Sequence, residues 1–154
     1  MRITVIDNSN KNTMQLRRKI RKQVESLSYT VLVIDDQPGI RRLLVEVLTE
    51  EGHLVVAASN GYEGLQKAKE CQPQLILMDM KMPGMDGIET LRELKKAGLG
   101  DKVIMMTAYG ELDLVNQARE IGAYDYITKP FDIIALCERI QQLAQEEGSQ
   151  AKIG

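Results

Sequence analysis

From Tyr29 onward, short aliphatic runs alternate with stretches whose apolar positions recur every three or four residues. The runs 30–35 (TVLVID), 53–58 (HLVVAA), 74–79 (QLILMD), 102–107 (KVIMMT) and 124–128 (YDYIT) read as strands. They are nearly continuous rather than alternating, the pattern of strands buried on both faces. Between them the periodicity predicts helices near 39–51, 61–71, 86–97, 111–121 and 132–146. In the first of these, Ile40, Leu43, Leu44, Val47 and Leu48 fall on one helix face. Gly52, Gly98 and Gly122 each follow a helical stretch, where a left-handed residue ends a helix at little cost. Five strand–helix repeats in this order predict an α/β fold with a doubly wound, five-stranded parallel sheet, a (βα)5 sandwich.

The chain has 154 residues, 44% of them hydrophobic and 27% charged, a balance that excludes a fibrous or largely disordered protein. Its longest aliphatic runs, such as 31–34 and 75–78, are far shorter than the roughly 20 apolar residues a membrane helix needs. The first residues lack a signal-peptide pattern, so no membrane span and a cytoplasmic location are expected. Cys71 and Cys137, each within a helical pattern, are expected to be reduced thiols rather than a disulfide or metal pair.

Charge divides the chain. Residues 1–28 hold seven basic side chains (Arg2, Lys11, Arg17, Arg18, Lys19, Arg21, Lys22) against Asp7 and Glu25. The remainder is acidic overall, which argues against nucleic acid as a partner of the main body. Within the extension, residues 13–27 read as a basic amphipathic helix, with Thr13 as its N-cap and Leu16, Ile20, Val24 and Leu27 as its apolar stripe. The sequence assigns it no function. The expected organisation is a partly helical basic extension over 1–28, one domain over 29–147 and a tail over 148–154, with output by contact rather than through an attached domain.

In an open parallel sheet the ligand crevice lies beyond the carboxyl ends of the strands. Here strand one ends in Asp35-Asp36, strand three in Asp79 and strand four in Thr107, while strand five runs into Lys129-Pro130. Each has an ordinary alternative taken singly: Asp35-Asp36 as a helix cap, Lys129-Pro130 as a turn, Thr107 as a β-branched strand end. Jointly they suggest chemistry. Three crowded carboxylates stay ionised only with a cation among them, and hard oxygen ligands favour Mg2+, which leaves positions for a phosphoryl group. A lysine and a hydroxyl can neutralise phosphoryl oxygens, and an aspartate can accept the group as an acyl phosphate. Asp79, alone at the end of the central strand, is the natural acceptor.

The segments VLVIDDQPGIRRLL, LILMDMKMPGMDGIETL, VIMMTAYGELD and YDYITKPFD closely resemble the receiver domain of two-component response regulators, over about residues 30–146. The likeness extends to single-domain receivers of the sporulation phosphorelay type. It implies a flavodoxin-like receiver fold and phosphorylation of Asp79. It also implies Mg2+ held directly by Asp36, Asp79 and the Lys81 carbonyl and partly through water by Asp35, with Thr107 and Lys129 contacting the phosphoryl group. A cis peptide before Pro130 and a switch pairing Thr107 with an aromatic at Tyr126 belong to the same pattern. Sporulation-type members carry a histidine at that aromatic position, so Tyr126 is a departure.

The implied partners are a sensor histidine kinase, a histidine-containing phosphotransferase and an aspartyl-phosphate phosphatase. The phosphohistidine must be theirs, because His53 lies far from the acidic edge and is expected to be structural. Their docking surface is expected to ring the crevice: Gln37, Pro38, Gly39, Ile40 and Leu43, then Pro83, then Tyr109, Gly110, Glu111 and Leu112, then Pro130 and Phe131. Ala108 is small, leaving room for an imidazole. Ile40, Leu43 and Phe131 have the alternative of simply covering the core. The function so implied is a phosphotransferase-type relay intermediate. Its rival is a stand-alone receiver that binds a target when phosphorylated, without onward transfer. A magnesium phosphatase needs Asp-x-Asp on its nucleophile strand, which Asp35-Asp36-Gln37 does not supply, and a degenerate scaffold would not keep every site residue.

Overall fold

The computed structural model describes residues 11–26 and 28–151, and falls into two compact units. The larger, Tyr29–Arg139, contains all five strands: β1 (Thr30–Ile34), β2 (Leu54–Ala58), β3 (Leu75–Asp79), β4 (Lys102–Thr107) and β5 (Asp125–Thr128). They form one parallel sheet in the order β2-β1-β3-β4-β5. The order reverses direction at β1 and β3, so the switch-point crevice opens between Asp35-Asp36 and Asp79. The other unit joins the helix α1 (Lys11–Ser26) with the segment from Ile140 onward.

The helices of the larger unit begin and end close to their expected bounds: α2 (Pro38–Glu50), α3 (Gly61–Cys71), α4 (Gly87–Lys96) and α5 (Leu112–Ile121). The last helix, α6, covers Ile133–Ala151 rather than stopping near 146. Gly52, Gly98 and Gly122 adopt positive φ after their helices, as their positions implied.

The central strands bury every residue except their ends, and alternate side chains serve opposite faces. Leu32, Ile34, Ile76, Met78, Val103 and Met105 pack with Ala68, Leu91, Leu94, Val115 and Ala118 from α3, α4 and α5. Helix α2 packs on β1 and β2 through its buried Leu44 and Leu48. Full burial does not extend to the outer strands, which have a partner on one side only: Leu54 is 66% exposed and β5 is half-buried at best.

Gly87 has a local reason to be glycine. It opens α4 directly against the end of β3, and a Cβ there would lie 2.5 Å from the Asp79 carbonyl oxygen. The Gly87 N–H donates to the Met80 carbonyl, so the loop leaving Asp79 is fastened to the start of α4. No side chain larger than hydrogen permits this approach.

In the extension, Thr13 lies inside α1, which already begins at Lys11, so it does not cap the helix. Leu16 and Ile20 are exposed. Leu27 and residues 1–10 and 152–154 lie outside the described residues.

His53 is structural. Its Nδ1 accepts the Tyr29 N–H at 2.9 Å while the residue is 4% exposed, and burial pushes its pKa below 6.5 despite the charge of Glu51. A histidine kept neutral by folding stabilises fully above its ordinary pKa of 6.5. As pH falls through that value the unfolded chain takes up the proton first, so stability is lost. His53→Asn, whose side-chain oxygen can still accept the Tyr29 N–H, is therefore expected to remove part of the loss between pH 7.5 and 5.5. Melting curves of both proteins at the two pH values check this.

Candidate functional site

Asp35, Asp36 and Asp79 meet at the carboxyl edge of the sheet, with one carboxylate oxygen from each lying within 4.8 Å of the others. Their surroundings differ. Asp35 is fully buried, and both its oxygens are engaged: Oδ1 accepts the Gln37 N–H at 2.9 Å and Oδ2 accepts from Lys129 Nζ at 2.7 Å. Asp36 is exposed, and Asp79 is half-buried. Asp35 does not cap α2; the residue at that position is Gln37, whose side chain makes no capping bond, and Pro38 starts the helix.

Lys129 reaches the cluster from the end of β5, where the Lys129-Pro130 peptide is cis. Its ammonium also lies 3.4 Å from Asp79 Oδ1, so one cation bridges two acids. Burial opposes charge on Lys129, but the hydrogen bond to Asp35 and the two carboxylate charges outweigh it and raise its pKa overall. Burial, aided by Asp35, pushes Asp79 up to about 6 against the pull of Lys129. One cation does not balance three acids here, and their arrangement suits a further, divalent cation with oxygen ligands. Asp36 and Asp79 carry the oxygens least committed to protein partners.

Thr107, at the end of β4, is 2% exposed and its hydroxyl donates weakly to the Ile127 carbonyl at 3.4 Å. Lys81 is exposed in the loop two residues beyond Asp79. Tyr126 is half-buried on β5, with the Arg119 guanidinium 4.8 Å from its ring centre. Gln37, Ile40, Leu43, Lys129, Pro130, Phe131 and Ile133 line a groove of about 420 Å³ beside the acids. Leu43 is 40% exposed, so it does not simply cover the core, while Ile40 and Phe131 are half-buried in the groove wall. Around the rest of the rim, Pro38, Gly39, Pro83, Tyr109, Gly110 and Leu112 are exposed and Glu111 is half-buried. Cys71 and Cys137 are free thiols whose pKa values burial raises, so neither is an activated nucleophile.

Two contributors lie within the resembling segments without a role assigned to them there. Arg41, on the first turn of α2, donates from Nη1 to the Asp35 carbonyl at 2.7 Å and fixes the backbone of the acidic pair. Gly87 was visible only as one more glycine in the stretch GMDG, because the close approach it allows is made through space.

A doubly wound parallel sheet with clustered acids, a hydroxyl and a lysine at its carboxyl edge defines the receiver domain of a two-component response regulator. The chain belongs to that family: the response regulator receiver domain pattern matches residues 31–141. Sporulation initiation phosphotransferase F of Bacillus subtilis is 45% identical over 112 residues, covering 73% of this chain and 90% of that protein. Chemotaxis protein CheY of the same organism is 37% identical over 117 residues, 75% of this chain and 98% of that protein. The receiver domain of the Francisella response regulator 1452 superposes with a TM-score of 0.71 at 30% identity, covering 77% of this chain and 98% of that one. Receiver domains interact with histidine kinases and phosphotransferases. Among the described residues no helix is long and apolar enough to cross a membrane.

Repulsion within the acidic cluster has a measurable consequence. With metal removed by a chelator, Asp36→Ala and Asp79→Asn are each expected to melt at or above wild type, by up to about 1–2 kcal/mol of stability, because one of three crowded charges is gone. Added Mg2+ is expected to stabilise wild type by linkage, and Asp36→Ala is expected to lose that gain. Thermal melts with chelator and with Mg2+ make both comparisons.

Proposed function

We propose that this protein accepts a phosphoryl group from a sensor histidine kinase onto Asp79 and relays it to a histidine phosphotransferase, in a phosphorelay of the sporulation type. The observation that carries the reading is the placing of Asp79, open to the crevice and 3.4 Å from Lys129, while Asp35 is occupied on both oxygens. Only one acid of the three has both a partly open carboxylate and a neighbouring ammonium. The 45% identity to sporulation initiation phosphotransferase F supports the relay role.

In the forward step an Asp79 carboxylate oxygen attacks the phosphorus of the donor phosphohistidine. A P–O bond forms as the P–N bond breaks, and the imidazole nitrogen keeps the bonding pair and takes up a proton. The product is an aspartyl phosphate. Lys129 neutralises a developing phosphoryl charge and Thr107 supplies a hydroxyl donor. Asp36, Asp79 and the Lys81 carbonyl, with Asp35 beside them, would hold Mg2+, which would supply Lewis-acid stabilisation of the same charge. The reverse transfer to a recipient histidine uses the same groups.

The receiver in this reading is 29–147, with 1–28 a basic extension and 148–154 a tail. Tyr126 with Thr107 is its switch, and an aspartyl-phosphate phosphatase is a further partner. Its place of action in this reading is the cytoplasm. A second reading, a stand-alone receiver that binds its target when phosphorylated without onward transfer, is favoured by the 37% identity to a chemotaxis protein along nearly its whole length.

Asp79→Asn is expected to abolish labelling by acetyl phosphate in the presence of Mg2+, because an amide does not attack phosphorus as a carboxylate does. Stoichiometric labelling of the variant contradicts the assignment. Passage of label from wild type to a histidine phosphotransferase separates relay from stand-alone signalling.

The groove beside the acids makes a separate claim. The ring from Gln37 to Leu43 with Pro83, Tyr109–Leu112, Pro130 and Phe131 is read as the docking surface for a helical histidine domain, its apolar members supplying affinity. Ile40→Ala with Phe131→Ala is expected to reduce transfer from the kinase by at least tenfold, while acetyl phosphate labelling and melting temperature stay near wild type. Parallel losses in all three measurements would assign these residues to the core.

A further inference from the structure

At the carboxyl end of β4 the ladder of backbone hydrogen bonds runs out. Asp79 pairs with Met106, and the Thr107 carbonyl accepts the Lys129 N–H at 2.7 Å. The Ala108 N–H is the first amide beyond the strand. It is not left open to the crevice. Glu111, three residues on, turns its side chain back so that Oε1 accepts the Ala108 N–H at 2.9 Å. The other oxygen, Oε2, is buried with no hydrogen-bond partner among the described residues. Glu111 stands at the N-cap position of α5 yet makes no capping bond into that helix. A carboxylate with one oxygen on a backbone amide and the other buried and unsatisfied is an uneasy resting partner.

The neighbouring donor is also occupied, since the Thr107 hydroxyl points to the Ile127 carbonyl at 3.4 Å. Both donors at the end of β4 are therefore turned to protein oxygens. Phosphorylation of Asp79 adds anionic oxygens beside this strand end, and such oxygens are stabilised by donors aimed at them. Resting on the reading of Asp79 as acceptor, we infer that Glu111 is a positioning residue. It holds the Ala108 N–H away from the crevice in the unphosphorylated form and is displaced when a phosphoryl group on Asp79 takes that donor. Its carboxylate competes with the phosphoryl oxygens for one N–H, so Glu111 sets the balance between resting and phosphorylated forms. Truncating it frees the donor and removes a nearby negative charge, both of which favour the phosphorylated state. Glu111→Gln keeps a weaker, neutral acceptor at the same length and takes an intermediate place.

Beryllofluoride, which mimics a phosphoryl group on a carboxylate, tests this in the presence of Mg2+. Its Kd is read by titration of the 15N-labelled full chain, following the Ala108 amide resonance. Glu111→Ala is expected to bind it more tightly than wild type, on the order of tenfold, with Glu111→Gln between them. Melting of the metal-free proteins is measured in parallel, because a side chain that merely buttressed the loop would lower the melting temperature and weaken or leave unchanged the Kd. Binding by both variants at or below wild-type affinity overturns the role of Glu111 while leaving Asp79 as acceptor intact. If wild type itself neither binds beryllofluoride nor is labelled by acetyl phosphate, the reading of Asp79 fails and the inference falls with it.

Discussion

The ion pair between Lys129 and the buried Asp35, 2.7 Å long, is the interaction on which the crevice depends. Leaving one partner of such a pair buried and alone costs several kcal/mol, so neither residue can be removed without disturbing the other. The pair fixes the end of β5 to the end of β1 across the intervening strands. It also places the ammonium beside Asp79, where its charge partly offsets the crowding of three acids. What remains uncompensated is negative, and that surplus suits a divalent cation with oxygen ligands.

The sheet supplies the precision. Because β1, β3 and β4 are buried on both faces, their ends are held by packing from two layers, and acids at those ends occupy fixed positions relative to one another. Gly87 and Arg41 add the local fastening, one by letting α4 start against the Asp79 carbonyl, the other by gripping the Asp35 carbonyl. The groove lined by Ile40, Leu43 and Phe131 also includes Lys129, so it adjoins this edge, and under the proposed docking a partner there would meet a carboxylate whose position is already set. Preorganisation of this kind is where positioned catalysis draws much of its advantage.

Runs such as Val31–Ile34 and Leu75–Met78 made the central strands legible, because continuous burial needs continuous apolar sequence. The same rule overstated the outer strands: LVVAA at 54–58 looks as apolar as a central strand, but position in the sheet, not composition, decides how many neighbours it has. The candidate residues stood out as polar groups closing apolar strands, and the fold brings Asp35, Asp36, Asp79 and Lys129 together. Residue type alone did not separate Asp35 from Asp36; the resemblance gave them different metal roles, while the bond that buries Asp35 comes from Lys129, 94 positions away. Thr13 has the chemistry of an N-cap but falls within a helix that begins earlier. Glu111 was visible only as part of the rim, because its bond to a backbone amide leaves no trace in residue type.

The central claim is that Asp79, and no other acid of the cluster, carries the phosphoryl group. Borohydride converts an aspartyl phosphate to homoserine, which marks the acceptor permanently. After acetyl phosphate treatment with Mg2+ and reduction, mass spectrometry of the digested protein is expected to find homoserine at position 79 alone. Homoserine at 35 or 36, or none at any position in a protein that has taken up phosphate, would contradict the account.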